Sequence, residues 1–351
     1  MDHTKPKPEL YKMPPTFDTF NGMPYRNLGR SGLRVPVVGL GTWKFGYPET
    51  GDGARVDKAT AFKIMDRAVE LGVTFWDTAN RYNESSGNSE RVIGEWLQAN
   101  PDQRRNIVLA TKIGGAMDGR TPNHCGLSRL NILKAVEACL ARLRVDSIDL
   151  LYFHRFDPLT PAEESLEAVE DLVRRGIVHY FGVSNFTVDQ LKTYQARQEP
   201  MGSRARVVAV QNQYDILRGE NPAHAGVLEH AAKTGVSFIA HGPLARGLLT
   251  ERYLDPSKVG PGDRLYDEGL YSSIDAADLE RVRRLAELAH GWGMTTSQLA
   301  LAYMLRLPGM GPVIPSASTV AQLEANARAA AVTLSAEQMI EVSRALERPA
   351  G

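Results

Sequence analysis

The chain has 351 residues, and its 41 Lys and Arg exactly offset its 41 Asp and Glu, for a formal net charge of zero. That balance excludes the basic footprint of a nucleic-acid binder or of a polybasic membrane-surface protein. With 43% hydrophobic and 23% charged residues, the composition is that of a globular protein with a full core. Two cysteines, Cys125 and Cys139, exclude a disulfide framework and fit a reducing compartment, and no CxxC or HExxH motif points to a metal.

In chain order, residues 1–22 (MDHTKPKPELYKMPPTFDTFNG) are Pro-rich and polar and read as a flexible N-terminal arm. They lack the apolar stretch of a signal peptide, and no later run approaches the roughly 20 apolar residues of a membrane span. A cytoplasmic location is the expectation. Residues 23–351 read as one domain. YRNLG and LRVPVV, parted by Arg30, Ser31 and Gly32, predict a β-hairpin. Eight short apolar segments follow: VVGLG, TFWDT, IVLATK, IDLLYFH, HYFGVSN, VVAVQNQ, VSFIAHG and PVIPS. Near-continuous apolar runs of this length predict strands buried on both faces.

Helical periodicity separates these strands. Phe62, Met65 and Val69 mark 58–71, and Ile132, Val136, Cys139, Leu140 and Leu143 mark 128–144. Further helices are predicted over 89–99, 162–175, 187–198, 221–234, 295–306 and 319–330, with a last one in SAEQMIEVSRALE. Eight β–α units predict an α/β protein, a (β/α)₈ TIM barrel with an N-terminal β-hairpin. A doubly wound sheet fits less well, because no helix follows directly on the glycines of GLGTWKFG.

Almost every predicted strand ends in a polar or aromatic residue: Trp43, Asp77, Lys112, His154, Ser184, Gln211, His241 and Ser316. Barrel enzymes build their sites at that face. The interval from His241 to Ser316 is by far the longest and predicts an inserted loop, ARGLLTERYLDPSKVGPGDRLYDEGLYSS, at the mouth. Asp77, Tyr82, Lys112 and His154 then surround one opening. A phenol has an ordinary pKa near ~10. A nearby ammonium favours its ionised form, a carboxylate can hold that ammonium, and an imidazole can orient a substrate oxygen. Such a set suits proton delivery to a carbonyl that receives a hydride. Singly, each residue has a plainer explanation: a capping Asp, a half-buried Tyr, a core His.

GVTFWDTANRY, LATK, the run from DLLYFHRFD to GVSN, QNQYDIL, GPLARGLLT and the VIP stretch ending at Asn326 together resemble the aldo-keto reductases over roughly residues 24 to 332. In pattern the chain is similar to the potassium-channel β-subunit-like members. The resemblance implies an NAD(P)H-dependent enzyme that reduces an aldehyde or ketone, sugar-like or of secondary metabolism, by pro-R hydride transfer. It implies Tyr82 as general acid, Lys112 and Asp77 lowering its pKa, and His154 orienting the carbonyl. Ser184, Asn185 and Gln211 would hold the nicotinamide carboxamide, with Thr42 and Trp43 beside it. Gly242, Pro243, Leu244, Ala245 and Arg246 would follow the pyrophosphate, and Ser316, Ser318, Gln322 and Asn326 the adenosine half.

The sequence departs from the family pattern in three places. His241 stands where an aromatic ring usually stacks on the nicotinamide. Ser316 and Ser318 bring no charge for the 2′-phosphate of NADP(H), the family default; Arg246 and Arg252 are candidates to replace it, and NAD(H) stays open. The loop after Tyr82 places Ser89 of the family's Ser-Glu pair seven positions on, and Asn83 and Glu84 within it are candidate contacts for a hydroxylated substrate. Two other functions remain open: a Schiff-base aldolase using Lys112, and a redox-sensing partner protein without turnover. A monomer and a homo-oligomer are both compatible with the sequence.

Overall fold

A computed structural model describes residues 5–8, 12–14, 17–117, 119–201 and 205–348. A small antiparallel sheet comes first, made of β1 (Thr19–Phe20), β2 (Met23–Asn27) and β3 (Arg34–Pro36). The β2–β3 hairpin is the predicted one; β1 adds a pairing from the last residues of the N-terminal arm. The barrel strands follow as β4 (Leu40–Gly41), β5 (Phe75–Asp77), β6 (Val108–Ile113), β7 (Ile148–Phe153), β8 (Val178–Ser184), β9 (Val207–Asp215), β11 (Ser237–His241) and β12 (Met310–Ile314). Short β10 (Gly219–Glu220) folds back on β9.

Neighbouring barrel strands pair in parallel from β4 through β12. Single bridges between Val38 and Val313 and between Gly41 and Ser316 close the ring. The seam is the thinnest part of the ladder. Of the predicted strand VVGLG only Leu40–Gly41 pairs continuously, helped by bonds from Gly39 N and Gly41 N to the Val313 and Pro315 carbonyls.

Alternation along the strands sorts the side chains. Phe75, Ala110, Leu150, Tyr152, Ala209, Ile239 and Ile314 pack together in the barrel interior, joined from below by Leu28 and Val35 of the hairpin. Gly29 N donates to Ser237 Oγ and Arg26 to the Met310 carbonyl, which fastens the hairpin under the starts of β11 and β12. The intervening residues, such as Trp76, Leu109, Leu151 and Phe153, face outward against the helices. Two positions beyond the inward layer come Asp77, Lys112, His154, Gln211 and His241, so the same parity delivers the polar residues to the mouth. Gly182 is needed for close packing here: a Cβ would lie 2.7 Å from the Tyr152 ring.

Capping sets many helix starts. Asp57 accepts from Thr60 N before Lys58–Glu70, and Ser128 from Asn131 N before Arg129–Leu143. Thr295 and Ser335 form capping boxes with Gln298 and Gln338. The predicted 221–234 helix begins only at Val227, because Pro222–His224 forms a separate turn and Gly226 is left-handed at φ 85°. The long interval after His241 is only partly loop. It contains a 16-residue helix, Ala276–Gly291, capped by Asp275, that the loop expectation passed over. Its apolar stripe of Val282, Leu285, Ala286 and Ala289 shares the helix with six charged residues, which hid the period. Among the described residues, no helix is long and apolar enough to cross a membrane.

Candidate active site

The floor of the mouth is a tight ionic cluster. Lys112 Nζ donates to Asp77 Oδ1 at 2.5 Å, to the Thr78 carbonyl at 2.8 Å and to the Tyr82 hydroxyl at 2.9 Å. All three ammonium hydrogens therefore have partners. Gln211 Nε2 donates to the other Asp77 oxygen at 2.8 Å, so the carboxylate is held on both sides. The His154 ring stands edge-on to Tyr82 with centroids 6.1 Å apart. The four residues predicted to cooperate are thus brought together.

Their electrostatics follow from burial and from one another. Burial acts to strip the Lys112 proton, but the Asp77 carboxylate and the Tyr82 oxygen more than offset this, and the pKa is raised. Burial raises the Asp77 carboxyl, opposed by the Lys112 charge and by hydrogen bonds from Lys112 and Gln211. Tyr82 is also raised: burial dominates, Lys112 pulls down, and the Asp77 charge pushes up. The expectation that Lys112 and Asp77 together lower this pKa is therefore met only in the sense of Lys112's own pull. Burial drives the His154 pKa well below its ordinary value, with further lowering from Lys112, His241, Arg155 and Arg81. A neutral imidazole and a protonated phenol thus face the same space at neutral pH.

A cavity of about 1230 Å³ runs from this floor along the barrel mouth. Trp43, Ser184, Asn185, Gln211, His241, the segment Gly242–Arg246, Arg252, Ser316, Ser318, Gln322 and Asn326 all line it, as the sequence leads one to expect. Asn185 adopts φ 57° and donates from Nδ2 to the His154 carbonyl and to Ser184 Oγ. His241 stands 3.4 Å from Asn185 Oδ1, and burial together with Lys112 lowers its pKa to about 4. Three expected residues do not line the cavity. Thr42 is fully buried, with its hydroxyl on the Asp77 carbonyl. Asn83 is buried and donates to the Phe45 carbonyl, and Glu84 is exposed beside Gly53.

The cationic part of the cavity is arranged differently from the expectation. Arg246 pairs with Glu268 at 2.7 Å and Arg252 with Asp263, so both candidate phosphate-binding arginines already hold carboxylates. Lys44, which the strand-end pattern did not single out, reaches Ser318 Oγ at 3.1 Å. Burial and the nearby Arg264 and Arg55 lower its pKa to about 8. Arg264 lies over the Trp43 ring at 4.4 Å and also binds Glu268. Lys44 follows Trp43 directly in the sequence, which was the one available signal; Arg264 sits in the insertion and had none. Among the described residues, no cluster of three or more His, Cys, Asp or Glu could hold a metal ion.

A barrel whose mouth joins a buried Asp–Lys–Tyr cluster to a long polar channel has the form of an oxidoreductase site, and comparison with known proteins agrees. The profile of the Aldo/keto reductase family matches residues 37–347. The chain is 35% identical over 341 residues to the uncharacterised oxidoreductase YrpG of Bacillus subtilis (strain 168), covering 94% of this chain and 98% of that protein. It is 32% identical to the aldo-keto reductase AMT2 of Alternaria alternata, over 90% and 89% of the two chains. It is 30% identical to the L-glyceraldehyde 3-phosphate reductase of Escherichia coli O157:H7, over 93% of each. The chain belongs to the aldo/keto reductase family.

Proposed function

We propose that this enzyme reduces an aldehyde or ketone to the alcohol with NAD(P)H, and that Tyr82 supplies the proton. The observation that carries this reading is the Lys112 ammonium with all three hydrogens committed, one of them to the Tyr82 hydroxyl at 2.9 Å. A nucleophilic Schiff-base lysine must be neutral, and the raised pKa of Lys112 argues against the aldolase reading.

The channel fits a dinucleotide. Gly242, Ala245, Arg246 and Gly247 take positive φ values of 67°, 48°, 60° and 94°, and such curled backbone suits an anionic phosphate. Ser184, Asn185 and Gln211 would hold the nicotinamide end, and His241 would stand against its face. Lys44 and Ser318 would meet a phosphate, with Ser316, Gln322 and Asn326 around the adenosine half. When bound, the cofactor supplies hydride.

The protein's own part is positioning and proton transfer. Neutral His154 donates one hydrogen bond to the substrate oxygen. Tyr82, kept protonated by burial, passes its proton as negative charge develops there. The Lys112 ammonium stabilises the phenolate left behind, and Asp77 with Gln211 keeps that ammonium in place. Trp43 bounds the substrate space. The named activity of the Escherichia coli relative suggests a small hydroxylated aldehyde as substrate class.

The test is a fluorescence titration with NADPH and NADH, followed by carbonyl reduction with the wild type and Tyr82→Phe. We expect binding of at least one cofactor by both proteins and loss of turnover by roughly 10²–10⁴-fold in the variant. Binding of neither cofactor, or near-normal reduction by Tyr82→Phe, overturns the reading.

A further inference from the structure

We propose that Ser89 is a positioning residue for the proton donor. Its hydroxyl clamps Thr78 to Thr42, and so fixes the Thr78 carbonyl that receives the Lys112 ammonium. The proposal rests on the reductase function above.

Three buried hydroxyls meet behind the catalytic floor, those of Thr42, Thr78 and Ser89. Ser89 Oγ lies 2.9 Å from the Thr78 hydroxyl, from the Thr42 hydroxyl and from the Thr42 carbonyl, while Thr42 Oγ1 lies 2.9 Å from the Asp77 carbonyl. Each hydroxyl has one proton to give, and both carbonyls can only accept. One assignment serves both carbonyls and leaves every proton placed. Thr42 donates to the Asp77 carbonyl, Ser89 to the Thr42 carbonyl, and Thr78 to Ser89. Ser89 then links Thr42, just past β4, to the side chain of Thr78, the residue after β5. Thr78 carries the consequence to the site, because its carbonyl accepts directly from Lys112 Nζ.

The loop that delivers Ser89 is built to place it. Asn83, Glu84 and Ser85 are left-handed in succession, at φ 60°, 54° and 62°, although none is glycine. Asn83 anchors on the Phe45 carbonyl at 2.5 Å and Asn88 on Asp52 at 2.8 Å, while Asp52 also accepts from Tyr47 N and Ala54 N. Gly87 allows close approach of Arg142, whose side chain would lie 2.6 Å from a Cβ there. Arg142 in turn holds Glu90, and Glu90 accepts from Thr111, the residue before Lys112. The longer connection after Tyr82 is therefore coiled up and tied down, and Ser89 and Glu90 still reach the strands bearing Asp77 and Lys112.

Ser89→Ala and Thr78→Val each remove the Thr78–Ser89 bond without touching a group that meets the substrate. In both, the Lys112 ammonium should sit less firmly against Tyr82, which weakens its downward pull on the phenol. We expect kcat to fall roughly tenfold. The alkaline limb of the kcat–pH profile should move to higher pH, with cofactor affinity unchanged. The double variant should lose little more than either single one. A lower melting temperature with unchanged kcat and unchanged pH profile would make the network merely structural and overturn the proposal. Should Ser89→Ala fail to fold, the profile of Thr78→Val decides in the same way. Cofactor binding and turnover by the wild type, checked alongside, tell a failure of this proposal from a failure of the reductase function.

Discussion

Asp77 and His154 line the cavity from strand ends whose alternate side chains face inward, with Lys112 bonded to Asp77 beneath, whereas Lys44 and Arg264 reach it from loops, Lys44 bonded to Ser318 and Arg264 paired with Glu268. On the floor, Asp77 and Lys112 are about 1% exposed and every ammonium hydrogen has a partner. Along the rim, Arg246 and Arg252 have roughly half of their side chains in solvent, as 48% and 51% exposure shows. Charges held in low dielectric are coupled strongly, while those in contact with water are screened. The two regions should therefore answer very differently to the loss of one charge.

The floor should give the largest effect. Lys112→Met removes the cation bonded to Asp77 and leaves a buried carboxylate. Breaking such a pair costs about 3–5 kcal/mol of stability, and turnover should fall at least ~10²-fold. The pH dependence has a definite sign. Burial raises the Asp77 pKa, and losing Lys112 removes the largest influence that opposes it. A carboxyl whose folded pKa lies above its unfolded value favours folding while protonated and loses that contribution as pH rises. The variant's deficit in melting temperature against the wild type should thus be greater at pH 8 than at pH 5. Glu90→Ala tests the neighbourhood behind the floor: it removes the buried carboxylate that pairs with Arg142 and accepts from Thr111, and should cost about 1–3 kcal/mol in thermal or urea unfolding.

The same contrast governs how much of the site the sequence reveals. Asp77, Lys112, His154, Ser184, Gln211 and His241 were legible because a period of two and a strand end fix where a side chain points. Lys44 was not, since its reach to Ser318 depends on the path of the chain after Trp43. Arg246 and Arg252 were legible as cations at the mouth, but not as partners of Glu268 and Asp263, because no local rule pairs residues within an irregular insertion. Thr42 and Asn83 were expected at the cavity and are instead buried away from it. Their polar groups serve backbone carbonyls there, and burial leaves such groups no cheaper alternative. The Ala276–Gly291 helix escaped because charges overwrote its stripe, although Asp275 marked its start.

Lys44 is the place where the rim should behave most like the floor. It is half-buried, its ammonium donates to Ser318 Oγ, and the charges of Arg264, Arg55 and Arg252 act on it. Lys44→Met should weaken NADPH binding roughly tenfold, the scale of one charge-assisted hydrogen bond. The wild type should show a matching pH effect. With its pKa lowered to about 8, Lys44 is mostly charged at pH 7 and mostly neutral at pH 9. Cofactor affinity should therefore drop as pH rises through that value, and the drop should be absent from Lys44→Met. A pH-independent affinity in the wild type would take Lys44 out of phosphate recognition.

Arg246 should give the smallest effect and the sharpest test of the contrast. Its partner Glu268 keeps a second guanidinium, Arg264, at 2.7 Å when Arg246 is removed. No buried charge is stranded, and an ion pair this exposed is worth about 0–1 kcal/mol. Arg246→Ala should accordingly change melting temperature little, and NADPH affinity by less than about fivefold. If the arginine instead leaves Glu268 to grip a phosphate with both arms of its guanidinium, the loss should exceed roughly tenfold and grow weaker with added salt. That outcome would mean the Arg246–Glu268 pair is a resting partnership that cofactor binding exchanges, and the rim would then owe its function to the very looseness that separates it from the floor.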